Sequence, residues 1–296
     1  MEIRQLKSFR AVANLLSFNK AAGQLNYAQS SISVQIQTLE EELGVQLFDR
    51  LGKRVQLTEN GAMLLQYANK ILDLVDETNS AVTADKEPVG SLTVRIPESF
   101  GAHRLPPVIK DFHTRFPKVQ LNFITCALEG LEKDLRKGVT DLAFLLAESI
   151  SAQDLEVETL GFESVVLVAG PHHPLSSKRS VHTRDLAGAT LLLSRVDCSY
   201  RRVFEQILKE EEVGSYNLFE FHSVEVIKRS LITGVGVSVL PEVAVAEEVQ
   251  RKELAILPWS EGAIEVAILM VWFRDRWISP TLQAFMDVTR RVVKQA

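Results

Sequence analysis

Long apolar runs are missing from this chain of 296 residues, and no window approaches the ~18 uninterrupted apolar residues of a membrane-spanning helix. Met1 leads straight into the amphipathic stretch EIRQLKSFRAVANLL, with no basic segment and apolar h-region, so the expected location is the cytoplasm. Cysteine is scarce. Cys126 and Cys198 lie 72 positions apart and form neither a disulfide framework nor a CxxC metal or redox spacing, which fits a reducing compartment. GxGxxG, GKS/T and GxSxG strings are absent, and Gly234 and Gly236 read as a turn before a strand rather than a phosphate cradle. His172 and His173 are adjacent, hence on different faces, between Pro171 and Pro174. No catalytic residue, metal site or cofactor is therefore assigned.

What remains is an ordinary globular composition, 46% hydrophobic and 24% charged, with enough apolar surface for more than one core and a length that suits two or three domains. The formal charge of -5 is unevenly spread. Residues 1–60 carry seven Lys or Arg against six acids, and the rest carries 26 against 32, so affinity for an anionic polymer belongs to the N-terminal part.

Leu6, Phe9, Val12 and Ala13 recur at helical spacing, which predicts a helix over residues 3–15. Ser17 is placed to cap a second helix that turns Ala21, Ala22 and Leu25 inward. After a break at Asn26 and Tyr27, Ile32, Ile36, Leu39 and Leu43 define one buried stripe of a third helix, leaving Gln29, Ser30, Ser33, Val34 and Gln37 on the opposite face. LFDRLGKRVQL then reads as a small hairpin with Gly52, Lys53 and Arg54 at its turn. Thr58 caps a long helix reaching about Asp85. Within it Leu64, Ala68, Ile71, Val75, Thr78 and Val82 follow the 3.5-residue period of a coiled-coil seam, and Pro88 and Gly90 mark a linker.

From Ser91 strands and helices alternate, which argues for βαβ units with a parallel sheet. The expected strands are SLTVRI, VQLNFIT, DLAFLL, ESVVLVAG, ATLLLS, LFEFH, GVSVL and AIEVAILMVWF. The expected helices lie near 100–115, 128–137, 200–211 and 223–233, with a last one from about Ser279.

Two short helices joined tightly within the first 40 residues resemble a helix-turn-helix, whose second helix enters the DNA major groove. On that helix Gln29 can pair with adenine N6 and N7, while Ser30, Ser33 and Gln37 can reach bases or phosphates. Lys53 and Arg54 suit a phosphate or a minor groove. The whole string SFNKAAGQLNYAQSSISVQIQTLEEELGVQLFDRLGKRVQLTENG closely resembles the N-terminal signature of LysR-type transcriptional regulators. LPPVIKDFHTRFP, GVTDLAFLL, PHHPL and ITGVGVSVLPE extend the resemblance along the chain. One departure is Val34, where the family often has a basic residue; Val34 suits a thymine methyl instead.

The resemblance implies an α/β protein with an N-terminal winged helix-turn-helix (1–58), a linker and dimerisation helix (59–90) and a two-lobed, periplasmic-binding-protein-like effector domain (91–296). Lobe I would comprise about 91–161 plus 268–296, and lobe II about 162–267. Effectors would sit between the lobes. Ser99 aligns with an effector-contacting position, with Phe100 beside it, and Arg195, Cys198, Ser199, Tyr200 and Arg201 fall at the equivalent strand-to-helix turn of lobe II. Two helix starts with Arg and Tyr nearby suggest a small carboxylate or other anion. Leu128, where relatives often place a hydroxyl, adds an apolar wall. The implied partners are double-stranded promoter DNA, a small-molecule effector, further copies of the chain as a homodimer or homotetramer, and RNA polymerase. Two other readings stay open: an α/β ligand-binding protein or enzyme whose helical N-terminus only oligomerises, and a redox switch at Cys198.

Overall fold

In the computed structural model, which describes residues 1–51, 54–82, 88–125, 130–147, 154–194 and 199–294, the chain divides into two units, 1–90 and 91–296. In the first unit α1 (Ile3–Leu15) buries Leu6, Phe9, Val12 and Ala13. Ser17 caps α2 (Phe18–Leu25), its hydroxyl accepting the Lys20 N–H at 3.3 Å. Asn26 ends α2 in the left-handed region, which Asn tolerates, and turns the chain into α3 (Gln29–Leu43). Ile32, Ile36 and Leu39 are buried on α3, but Leu43 is exposed and Glu40 is buried in its place. The reason is local: the Glu40 carboxylate accepts the Leu47 N–H at 2.7 Å and the Phe48 N–H at 3.3 Å, fastening the helix to the hairpin that follows.

That hairpin pairs β1 (Phe48–Leu51) with β2 (Arg54–Leu57), Phe48 opposite Leu57, and the ring of Phe48 packs on Phe9 and Phe18. Thr58 then caps α4 (Glu59–Val82), accepting the Gly61 N–H at 2.9 Å while donating to the Gln46 carbonyl at 2.8 Å. A Cβ on Gly61 would lie 2.1 Å from the Leu47 carbonyl oxygen, so only glycine lets the helix approach the strand this closely.

The first half of the seam expected on α4 faces the unit's own core. Gly61 and Ala68 are buried in the unit's own core, with Leu64 and Ile71 packed against it, and α4 lies along α1. Among the described side chains of α4, Met63, Tyr67 and Leu74, one position off that seam, are the exposed large apolar residues. Val82 lies where no side chain is described.

The second unit contains, among the described residues, β3 (Gly90–Ile96), α5 (Glu98–His103), α6 (Leu105–Arg115), β4 (Val119–Thr125), α7 (Leu131–Arg136), β5 (Leu142–Ala147), β6 (Leu155–Ala169), β7 (Thr190–Ser194), α8 (Ser199–Glu210), β8 (Asn217–Phe221), α9 (Val224–Ile232), β9 (Val237–Pro241), α10 (Glu242–Gln250), β10 (Ala255–Ile256), β11 (Ile264–Phe273) and α11 (Pro280–Val293). One sheet runs β4-β3-β5-β11-β6-β9-β7-β8, with β10 on β6. Strands β4-β3-β5 lie at one end of the sheet, the part expected as lobe I, and β9-β7-β8 at the other, the part expected as lobe II, with β11 and β6 between them. On β5, Leu142, Phe144 and Leu146 face a core shared with Leu191, Tyr200 and Phe204, and Ala143, Leu145 and Ala147 face a second cluster with Leu131 and Leu135.

The sheet is mixed, not parallel throughout. β3–β5, β7–β8 and β7–β9 are parallel, whereas β11 is antiparallel to β5 and β6, and β6 to β9. The single helix expected over 100–115 is two, broken at Arg104 before the Pro106–Pro107 pair. The region expected as helix from 128 is helical from Leu131. Helix α10 was not expected from the sequence. Gly234, at φ +84, makes the turn that carries α9 into β9.

Candidate nucleic-acid interface and effector cleft

Burying Ile32, Ile36 and Leu39 leaves the other face of α3 outward. Gln29, Ser30, Val34 and Gln37 are exposed there and Ser33 is half-buried; Val34 is 61% exposed, a cost in apolar area that a stable core would avoid. Gln29 Nε2 donates to Ser33 Oγ at 2.7 Å, and Gln37 Nε2 to Glu41 Oε1 at 2.9 Å. The N-cap is Ala28, which has no capping oxygen, and the first turn carries no acid. The start of α3 therefore presents backbone N–H groups and the positive end of the helix dipole to solvent. Tyr27, exposed just before this turn, had served in the sequence only as a helix break, and its exposed aromatic ring is the signal that marks it for the same surface. Arg54 begins β2 opposite Leu51, with its side chain outside the described residues, as is the whole of Lys53.

In the second unit each lobe repeats one plan. The first strand of a lobe, β3 or β7, lies between the second and third, and the helix that follows it is α5 or α8. Ser99, in the first turn of α5, is buried. Ser199 opens α8, its side chain outside the described residues, as are Leu128, Arg195 and Cys198 entirely.

Three candidates have other engagements. Phe100 is buried in the core with its ring stacked on Phe144, centroids 4.6 Å apart, and Tyr200 is buried in the same cluster. The Arg201 guanidinium donates to Glu205 at 2.8 Å, to the Ser194 carbonyl at 2.7 Å and to Glu220 at 2.7 Å. Burial works against its charge, but the two carboxylates outweigh burial and hold it above its ordinary range. In the structure Phe100 and Tyr200 are packed in the core and Arg201 is engaged by Glu205, Glu220 and the Ser194 carbonyl.

A second polar cluster joins α9 to α10. Buried Lys228 donates to Glu248 at 2.8 Å and pairs with Glu225 at 3.0 Å. Burial opposes the Lys228 charge and the two carboxylates overcome it, so its pKa is raised. Lys228 lowers Glu225 directly, and overcomes burial to lower Glu248. Burial and the nearby ammonium of Lys228 push His103, at the end of α5, below its ordinary range. His173 is likewise lowered by burial, and its Nδ1 accepts the Leu175 N–H at 3.3 Å, a capping role. Among the described residues no group of three or more His, Cys, Asp or Glu could hold a metal ion, and no helix is long and apolar enough to cross a membrane.

A winged helix-turn-helix with an open reading helix, joined in one chain to a two-lobed α/β domain, defines a DNA-binding regulator that senses a small molecule. The family comparisons agree: residues 3–62 match the bacterial regulatory helix-turn-helix protein of the lysR family, and residues 85–294 match the LysR substrate binding domain. The chain belongs to the LysR family of transcriptional regulators. It is 38% identical over 296 residues to the HTH-type transcriptional regulator YwqM of Bacillus subtilis, covering 99% of this chain and all of that one. In fold it is similar to full-length CbnR in complex with its target DNA (TM-score 0.70, 23% identity, 99% of this chain and 100% of that chain). A full-length OxyR variant from Pseudomonas aeruginosa is similar as well (TM-score 0.70, 24% identity, 99% and 95%).

The Lys228 cluster generates a pH prediction. Glu225 and Glu248 have pKa values below their ordinary 4.5 in the folded chain, so their contribution is present above pH 4.5 and is lost as pH falls through the folded values. Melting curves between pH 7 and pH 3 should show the native chain losing stability below pH 4.5 more steeply than Lys228→Met, in which Glu248 has lost Lys228 and Glu225 keeps only Arg229. Parallel curves for the two proteins would contradict the assignment.

Proposed function

We propose that this regulator reads double-stranded promoter DNA through the outer face of α3, with the wing on the adjacent backbone, and that a small anionic effector between the lobes alters that binding. The observation that carries the reading is the first turn of α3, open, acid-free and flanked by exposed Gln29 and Ser30. Gln29 pairs with adenine. Ser30, Ser33 and Gln37 take base edges or phosphates, Val34 meets a thymine methyl, and Lys53 and Arg54 follow the backbone. CbnR, described with its target DNA, has the same fold, which supports the duplex as partner. The setting is the cytoplasm, with RNA polymerase as the further partner of the bound complex.

The effector site lies at the carboxyl ends of β3 and β7. In each lobe strand order reverses there, which is where open α/β sheets take ligands. The twelve-residue helix α8 offers its N-terminal N–H groups and dipole to a negative ligand. Ser99 and Ser199 would supply hydroxyls, Arg195 and Cys198 come just before α8 in sequence, and Leu128 would add apolar contact.

Self-association uses the exposed stripe of α4. Met63, Tyr67 and Leu74 recur at steps of 4 and 7, and Lys70 lies with its ammonium 4.9 Å from the Tyr67 ring centre. The assembly is a homodimer, or a homotetramer made of two.

On DNA from upstream of its own gene, Gln29→Ala should lose about 1–3 kcal/mol and lose little on random duplex, whereas Arg54→Ala should weaken both and flatten the salt slope by about one. Equal losses for Gln29→Ala on the two duplexes, measured by fluorescence anisotropy, would remove it as a base reader. Leu74→Glu would bury an unpaired charge between copies and should reduce the mass seen by light scattering; an unchanged mass places the contact elsewhere. In a thermal-shift screen, a carboxylate with a hydrocarbon body at ~100 times its Kd should add about 2.7 kcal/mol, and Ser99→Ala should diminish that gain. Stabilisation only by neutral or cationic compounds would overturn the anionic effector.

A further inference from the structure

Glu98 opens α5 on lobe I, and its side chain ends on lobe II. Its Oε1 accepts the Ser223 hydroxyl at 3.0 Å and its Oε2 accepts the Val224 N–H at 2.9 Å, across 125 and 126 residues of sequence. Ser223 is the N-cap of α9 and Val224 its first residue, yet the Ser223 hydroxyl makes no capping bond to its own helix because it is turned to Glu98. The positive end of α9 is thus satisfied by a carboxylate from the other lobe. The far end of α5 is fastened too: α5 packs on α10, and Arg104, which follows it, donates to buried Glu163 on β6 at 3.2 Å. A six-residue helix of lobe I is therefore tied to lobe II at its start, packs on it through α10 and is fastened at its far end to the shared strand β6, and Ser99 lies next to the first tie.

We propose that Glu98 is a latch between the lobes: its carboxylate on the start of α9 holds the effector-free domain at one lobe spacing, and its release is the step that lets the spacing change. A contact made of two hydrogen bonds at a part-buried site can exchange for water without opening a packed core, which a hinge contact requires. That an anion beside Ser99 performs the release, by repelling or replacing this carboxylate, rests on the effector reading above. The latch itself needs no effector.

Hydrogen exchange of the ligand-free full chain tests it, so an error in the effector reading leaves the result intact. In Glu98→Ala the Val224 amide should exchange at least tenfold faster than in the native chain, and α5 should loosen with it. The second half of α9 and residues 1–82 should stay as they were. Acetate, a free carboxylate, should slow Val224 exchange again in Glu98→Ala. Glu98→Gln, which keeps the shape and one acceptor, should lie between. Unchanged exchange at Val224 in both variants would overturn the proposal, and so would acceleration spread evenly over 91–294, the mark of a stabilising cap that does not govern the lobes.

Discussion

The effector domain depends on one antiparallel pairing, β6 against β11. These strands pair from Val165–Ile264 to Leu155–Phe273 and carry the sheet from one lobe into the other, with a register shift between Ile268 and Leu269 opposite Gly161. Because they are continuous, the lobes cannot separate as free bodies; they can only twist about strands that both share. The register shift is the place where such a ladder is weakest, since an irregular residue breaks its hydrogen bonding and increases local twist. Control of lobe spacing then falls to the helices that reach across, α5 onto α10 and α8 onto β5 and β11. Arg201 and Tyr200 fix the position of α8, and Glu98 and Arg104 that of α5.

In the DNA-binding unit a different economy applies. The core is small, and it is closed by groups that would otherwise be surface features: the Glu40 carboxylate beneath the hairpin, Thr58 bridging Gln46 and Gly61, and a glycine where α4 meets Leu47. With those contacts fixed, α3 has no remaining freedom to rotate its apolar stripe. The face bearing Gln29, Ser30, Val34 and Gln37 is outward because the other face is consumed. On the proposed function, a ligand could change the output of such a rigid reader only by as much as its affinities for two arrangements differ.

Much of this was legible in the sequence, and the failures have identifiable causes. Ser17, Thr58 and the Ile32–Ile36–Leu39 stripe announced their elements because capping chemistry and helical period act over a few residues. Leu64, Ala68 and Ile71 recur at the period of a seam between helices, yet they serve the unit's own core, because periodicity cannot name the partner. β11 was found as a strand, but its direction depends on pairing with β6 about a hundred residues earlier. Helix α10 was overlooked because Val243 and Val245 alternate as in a strand, while its buried positions are Ala244, Val245 and Glu248. The partner of Arg201, Glu220, lies nineteen residues away in sequence on strand β8 and is invisible to local reading. Glu98 was passed over for the same reason, its partners lying in the other lobe.

The most direct test of the central claim, that the outer face of α3 lies against bases, is photo-crosslinking from single positions of the full-length chain on DNA from upstream of its own gene. A photoreactive side chain at Val34, which is exposed and outside the core, should crosslink to bases in the major groove of a defined site. The same group at exposed Met63 on α4 should not. Equal crosslinking from the two positions, or crosslinks from Val34 scattered along the duplex without a site, would contradict the account.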